Sequence, residues 1–323
     1  MRVLILDEHD VEDLLPMQEC IGVMEEALTA LARGEIHNPL RVPLRAPGAK
    51  GLLGLMPAFR GGEDPVWALK EVCVQPDNPS RGLDTHLGAV LLHDGVTGEL
   101  RLIASAAAIT AIRTAAVSAV ATRLLAREDA STLAILGAGV QARSHLRAIP
   151  LVRAVGEIRI CSRTAARARE LAALDPRARA VDSVEDAVAG ADIIVTATSS
   201  REPVLRREWI AGGAHINAVG SSVASARELD AATVAAASLF VDRRESTVNE
   251  SGDYLAALRE GAISEGHIRA ELGEILLGSA QGRNSRDEIT LFKSLGLAAE
   301  DLAAAAFLFR KGSGSGRGVW VEI

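Results

Sequence analysis

Residues 133–149 read LAILGAGVQARSHLRAI and set Gly137, Gly139 and Ala142 in the spacing GxGxxA. The apolar run before the first glycine reads as a strand, and a helical pattern follows the second. In that context Gly137 permits a tight turn, Gly139 lets backbone approach a pyrophosphate, and Ala142 lets helix and sheet pack closely. The helix start offers free N–H groups and the positive end of its dipole to phosphate. Ala138, Val140 and Gln141 complete this loop. One strand further on, EIRICSRT ends in Ser162, Arg163 and Thr164. A carboxylate at such a strand end binds a ribose 2′-hydroxyl and repels a 2′-phosphate, whereas an arginine accommodates that phosphate. A guanidinium matches phosphate geometry and stays charged. With the two hydroxyls beside it, Arg163 points to NADP(H) as the preferred cofactor, with NAD(H) as the alternative. Thr198, Ser199 and Val219 lie at the ends of later strands, on the edge where open α/β sheets take ligands.

These residues need a scaffold of alternating strands and helices. Residues 131 to about 242 supply it: STLAIL, EIRIC, ARAV, ADIIVTAT, AHINAVG and SLFVD alternate with helical stretches, which predicts a parallel sheet with crossovers. The region from about 38 to 105 differs. LRVPLRA, GLLGLMPA, VWALKEVCV, GAVLLHD and ELRLIAS are short and separated by turn clusters such as QPDNPSRG and HDGVTGE, which predicts mostly antiparallel strands. Before it come a strand at 3–6, a helix start at Asp7 and Asp10, and a second helix opened by Pro16 and stopped at Gly34. A long helix, AAAITAIRTAAVSAVATRLLA, joins the two regions; another, LGLAAEDLAAAAFLF, closes the chain before RKGSGSGRG, read as a flexible tail.

Composition narrows the function classes. The chain has 323 residues, 48% hydrophobic and 24% charged, with net charge −7, which fits two globular domains. An acidic balance without a basic stripe argues against nucleic acid as a partner. Only 3% of residues are aromatic, too few for base-stacking platforms. The scattered Cys20, Cys73 and Cys161 form no disulfide framework, and no His/Cys spacing suggests a metal. No segment reads as a signal peptide or membrane span, so the expectation is a cytoplasmic protein acting on a small molecule.

GLLGLMPAF, LDTHLGAVLL, ITAIRTAAVSAVA, ILGAGVQA, AGADIIVTAT, GAHINAVGS, RELD and TLFKSLG follow one another over nearly the whole chain. In this series the sequence resembles the ornithine cyclodeaminase/mu-crystallin family, and its wording lies nearer the mu-crystallin and ketimine reductase branch. The resemblance implies an α/β fold in which a Rossmann domain (118–296) is inserted in an α+β substrate and dimerisation domain (1–117, completed by 297–323). It implies a homodimer and an active site in the cleft between the domains. By the same resemblance, Arg41, Lys70 and Arg113 gather around a substrate carboxylate. A carboxylate leaving water needs such charge-assisted donors; Arg45 is a close competitor for the place of Arg41. Asp230 matches a catalytic aspartate that would handle the substrate nitrogen, although LDAATVAAA also makes it a helix N-cap. Thr85, Arg113 and Thr114 match positions near the cofactor, and Phe292 either walls the nicotinamide or belongs to the core. Glu228 reads as a surface residue, Asp192 as a strand-entry residue, and His86 and His215 as structural.

The implied activity is NAD(P)H-dependent oxidoreduction at the C–N bond of small α-imino or α-amino acids, with Asp230 and Lys70 as the catalytic pair. Two alternatives stand beside it: an ornithine or lysine cyclodeaminase, and a non-catalytic NADPH-binding crystallin-like protein. Cyclodeaminases of the family carry a glutamate just before LMP, where this chain has Gly54.

Overall fold

The computed structural model describes residues 1–323, the side chain of Pro79 excepted. The chain divides into two compact units, Met1–Arg113 with Leu297–Ile323, and Thr114–Gly296. The division falls inside the long connecting helix, a turn before the boundary read from the sequence.

The first unit opens with β1 (Arg2–Leu6), α1 (Glu8–Leu14) and α2 (Met17–Ala32). Asp7 and Asp10 form a reciprocal capping box at α1: Asp7 Oδ1 accepts from the Asp10 backbone at 2.9 Å. Pro16 stands one place outside α2, as its N-cap, and Gly34 ends the turn beyond it with φ +75°. Cys20, Ile21, Met24, Ala27 and Leu28 make the buried stripe of α2. Then come β2 (Ile36–His37), β3 (Val42–Leu44), β4 (Leu52–Arg60), β5 (Val66–Val74), β6 (His86–Asp94), β7 (Leu100–Ser105) and α3 (Ala106–Leu125), whose first half belongs to this unit.

The second unit contains β8 (Thr132–Leu136), α4 (Val140–Ala148), β9 (Glu157–Cys161), α5 (Ala165–Ala172), β10 (Ala178–Ala180), α6 (Val184–Val188), β11 (Ile193–Thr196) and β12 (His215–Ala218). It continues with α7 (Ala231–Ala236), β13 (Ser238–Val241), α8 (Arg244–Glu250), α9 (Gly252–Arg259), β14 (Ile268–Glu271), α10 (Leu272–Leu276) and β15 (Thr290–Lys293). The strands run in the order β10-β9-β8-β11-β12-β15-β13-β14, and every pairing is parallel. Both faces of this sheet are covered, so its strands are apolar at consecutive positions. Ala134, Leu136, Ile194 and Ile216 pack on one face. Leu133, Ile135, Ile158, Ile160, Ile193 and Val195 pack on the other. The order reverses between β8 and β11, and such a switch point opens a crevice at the carboxyl ends of the strands.

The chain returns to the first unit through α11 (Ala298–Gly312) and β16 (Val319–Glu322). The tail is not a loose segment. Gly316 and Gly318, both with positive φ, turn it back so that β16 pairs antiparallel with β1. The completed sheet runs β16-β1-β7-β6-β5-β4-β2, with β3 on β4, and is antiparallel except where β1 meets β7. The helix α11 packs on one face, against β4, β5, β6 and β7.

By length and composition α3 could cross a membrane, contrary to the sequence reading that nothing in the chain approaches a span. Ala115, Ala116, Val117, Ala119, Val120 and Ala121 are wholly buried in the protein, which explains their uniformly small, apolar character.

Candidate active site

The first unit draws its cations into its interior. Lys70 points to the helical side of β5, where strand alternation puts it with Ala68 and Val66. Thr110 and Arg113 share a face of α3 at a spacing of three. Lys70 Nζ donates to Thr110 Oγ1 at 2.6 Å and lies 3.5 Å from Asp301 Oδ1. Arg113 donates from Nε to Asp301 Oδ1 at 3.1 Å and from Nη1 to Glu300 Oε2 at 2.7 Å. All four charged side chains are buried. Glu300 and Asp301 occupy the first turn of α11, where a helix dipole favours anions. Asn38 Oδ1 accepts from the Ala299 backbone at 2.7 Å and ties that turn in place.

Desolvation pushes the Lys70 ammonium down to about 8; Asp301 opposes the shift, while Arg113 and Arg41 add to it. Arg41 is thus close enough to act on Lys70. His86 opens β6 and is held below the usual histidine range by burial and by Lys70. Thr85, half-buried just before it, accepts at its carbonyl from the Gln75 backbone at 2.8 Å. Asp301, Glu300 and Thr110 escaped the sequence reading. The pair of acids in LGLAAEDLAAAA, set among small apolar residues, was the available signal.

The second unit gathers the nucleotide-binding candidates on one sheet edge. The last residues of β8, β11 and β12 are in register: Leu136 pairs with Thr196, and Thr196 with Ala218. Directly beyond Leu136, Gly137 takes φ +120°, and a Cβ there would collide with the Ala197 carbonyl oxygen. Gly137 N donates to the Cys161 carbonyl at 2.8 Å, so the loop also borders the end of β9. Gly139 is the N-cap of α4 and no side chain caps that helix. A Cβ on Gly139 would meet open space. Ala138 and Gln141 are half-buried, Val140 is exposed, and Ala142 is fully buried against the sheet. A tight turn, an uncapped helix start and an open approach over Gly139 fit a dinucleotide pyrophosphate.

At the end of β9, Ser162 is half-buried, and Arg163 and Thr164 are exposed. Among the described residues no acid pairs with Arg163. Asp182 and Asp186, with burial, push the Cys161 thiol upward, so acids border this edge as well. Thr198 and Ser199 follow β11, and Val219 follows β12. Thr114 is buried on α3.

Asp230 takes the cap that the sequence offered, and two other readings need correction. Asp230 is committed as the N-cap of α7: its Oδ1 accepts from Thr233 N at 2.9 Å and from Arg207 N at 3.2 Å. The structure shows the capping role, which the sequence reading set beside the catalytic one. Phe292 is fully enclosed within β15, paired with Asn217 and Phe240, and belongs to the core. Glu228 is no surface residue. It is wholly buried and binds both strand ends of the crevice, accepting from Thr198 N at 2.6 Å, Thr196 Oγ1 at 2.7 Å and Gly220 N at 2.7 Å. Asp253 supports it from below, accepting from Glu228 N at 2.7 Å and pairing with buried Lys293 at 3.0 Å. Its neighbours Arg227 and Asp230 gave Glu228 a polar context that reads as surface. Asp192 does enter a strand, accepting from Thr132 N at 3.0 Å, and His215 is a buried structural histidine.

Known proteins resemble this chain over nearly its whole length. The ketimine reductase mu-crystallin of Mus musculus is 38% identical over 309 residues, covering 94% of this chain and 96% of that protein. The structure of Thermococcus litoralis Δ1-pyrroline-2-carboxylate reductase, in complex with NADH and L-proline, superposes with a TM-score of 0.94 at 39% identity, covering 98% of this chain and 99% of that one. An archaeal alanine dehydrogenase dimer with bound NAD gives 0.94 at 32% identity and covers both chains completely. The family model for the ornithine cyclodeaminases and mu-crystallins matches residues 1–315. The chain belongs to the ornithine cyclodeaminase/mu-crystallin family.

Proposed function

We propose that this protein reduces small α-imino acids to α-amino acids with NADPH. The observation that carries this reading is the buried Lys70–Arg113–Asp301–Glu300 cluster with Arg41 beside it. It is a cation-rich interior site that suits a carboxylate attached to a reactive C=N bond. Arg41 and Arg113 hold the substrate carboxylate by charge-assisted hydrogen bonds. Lys70, buried and with an ammonium poised near neutral pH, donates its proton to the imine nitrogen. The dihydronicotinamide, when bound, supplies the hydride for the imine carbon. Lys70 is reprotonated from water before the next turnover, so one proton and one hydride are consumed per amine formed. The GAGVQA loop, Thr198, Ser199 and Val219 hold the cofactor, and Ser162, Arg163 and Thr164 receive its 2′-phosphate.

The test is NADPH oxidation with Δ1-pyrroline-2-carboxylate, six-membered cyclic ketimines, and pyruvate with amines. Imines bearing the carboxylate should turn over, and their decarboxylated counterparts should be at least ~100-fold poorer, the size expected for two lost charge-assisted bonds. Equal turnover of both would mean that the cations serve another purpose.

The same reading includes a homodimer. On the sheet face turned away from α11, Trp67 is 49% and Leu87 43% exposed, in line with partly exposed Leu55, Phe59 and Leu91. An apolar sheet face of this kind is a natural seat for a second copy. Light scattering should give twice the chain mass.

A further inference from the structure

Asp301 has no assigned part in the reaction, yet both principal cations converge on it. One oxygen, Oδ1, accepts from Arg113 Nε at 3.1 Å and lies 3.5 Å from Lys70 Nζ. Its side chain is 1% exposed, against 6% for Lys70 and 4% for Arg113. Thr110 Oγ1 takes a second ammonium proton of Lys70, and Glu300 takes Nη1 of Arg113. We infer that Asp301 is a positioning residue for imine reduction: its shared oxygen locks Lys70 and Arg113 into one unit and leaves the third ammonium donor of Lys70 for the substrate. The inference rests on the reading of Lys70 as proton donor.

Charge accounting supports it. The groups around Lys70 are Asp301 and Glu300 from α11, Arg113 and Thr110 from α3, Arg41 ahead of β3, His86 on β6, and Cys20 on α2, which bears on Arg113 and Glu300. Burial pushes the Cys20 thiol far up, so it stays neutral. Asp301 and Glu300 are therefore the only anions of the set, and Asp301 is the one that touches Lys70. Against it stand desolvation and two guanidinium groups, all of which favour loss of the Lys70 proton. The carboxylate of Asp301 thus keeps the donor protonated at the pH where it must act, and fixes its direction.

The experiment compares steady-state imine reduction by the wild type with that of Asp301→Asn, Asp301→Glu and Lys70→Met, across pH 5.5 to 9.5. Thermal melting and NADPH affinity serve as controls for folding. The wild-type rate should fall on the basic side with an inflection near 8, the value to which Lys70 is brought. In Asp301→Asn that inflection should move to lower pH by about 1–3 units, the range for loss of an adjacent opposite charge. Asp301→Glu keeps the charge but displaces the oxygen, so kcat should fall about 10-fold or more with the inflection in place. Should the asparagine variant fail to fold, the glutamate variant alone decides. Wild-type kcat in Asp301→Glu, or an unmoved inflection in folded Asp301→Asn, would overturn the inference. If Lys70→Met retains the wild-type rate and profile, the donor reading of Lys70 fails. If Lys70→Met is inactive while both Asp301 variants behave as wild type, the donor reading stands and only the role of Asp301 falls.

Discussion

Arg163 carries a decision that a single side chain can make. It is exposed at the end of β9, flanked by two hydroxyl residues, with Asp182 and Asp186 near the adjoining Cys161. A phosphate bound there gains about 1.5–3 kcal/mol from one arginine, roughly 10- to 100-fold in affinity. NADPH should therefore bind more tightly than NADH, and Arg163→Asp should erase or reverse that order. Fluorescence titration of both cofactors checks this, and equal dissociation constants in the wild type would show that the neighbouring acids cancel the arginine. Lys70 shows the same economy of scale in another form: its lowered pKa comes from burial, opposed by Asp301, and neither is announced by its own sequence neighbours.

Two glycines of the β8–α4 turn divide structural from functional need. Gly137 has φ +120° and no room for a Cβ, whereas Gly139 has ordinary backbone angles and open space above it. Gly137→Ala should lower the thermal midpoint by several degrees, as expected of a strained residue costing about 1–3 kcal/mol. Gly139→Ala should melt like the wild type but bind NADPH at least ~10-fold more weakly, because its methyl group occupies the path of the pyrophosphate. Parallel melting and titration of the two variants separates these effects. On the other unit, Gly54 lies within β4 between Pro43 and Val72 and offers no acid or base. Cyclodeamination needs proton transfers during ammonia loss and ring closure, for which one positioned acid–base group contributes about 10²–10⁴-fold. Incubation with L-ornithine and catalytic NAD(P)⁺ should release negligible ammonia and proline. Rapid proline formation would place the protein with the cyclodeaminases.

For the molecule as a whole, two wholly buried histidines of the second unit contribute to its response to acid. His145, hydrogen-bonded to the Gln141 carbonyl and Ser118, is pushed down to about 4 by desolvation. His215, between Thr290 and Asn217, is pushed down to about 3 by desolvation and by Arg283. Both are neutral in the fold but bind protons near pH 6.5 once unfolded. Their contribution to stability is thus full well above pH 6.5 and declines as pH falls through that value, with a slope approaching ~2.7 kcal/mol per unit for two protons. Urea unfolding at pH 7, 6 and 5 should show the loss, and His145→Gln should halve the slope. A flat profile would mean that water reaches both rings.

Much of this architecture is local information. Apolar strands alternating with helices, and glycines at fixed offsets, encode the parallel sheet and its nucleotide edge, because backbone geometry and burial of a face are properties of short segments. The family resemblance likewise singled out Arg41, Lys70 and Arg113 as candidates for a substrate carboxylate. Partnership is another matter. Arg113 meets Asp301 across 188 residues and Lys70 meets it across 231, contacts that exist only once the chain has returned to its first unit. The same closure turned RKGSGSGRG from a loose tail into the turn before an edge strand. Burial of a charge is also invisible in its neighbours. Glu228 sits in a polar stretch yet ties two strand ends together, while Asp230, two residues on, spends its carboxylate on a helix cap. Sequence determined which residues could do chemistry; only tertiary structure decided which partners each carboxylate has, because a buried charge takes its partners from wherever the fold supplies them.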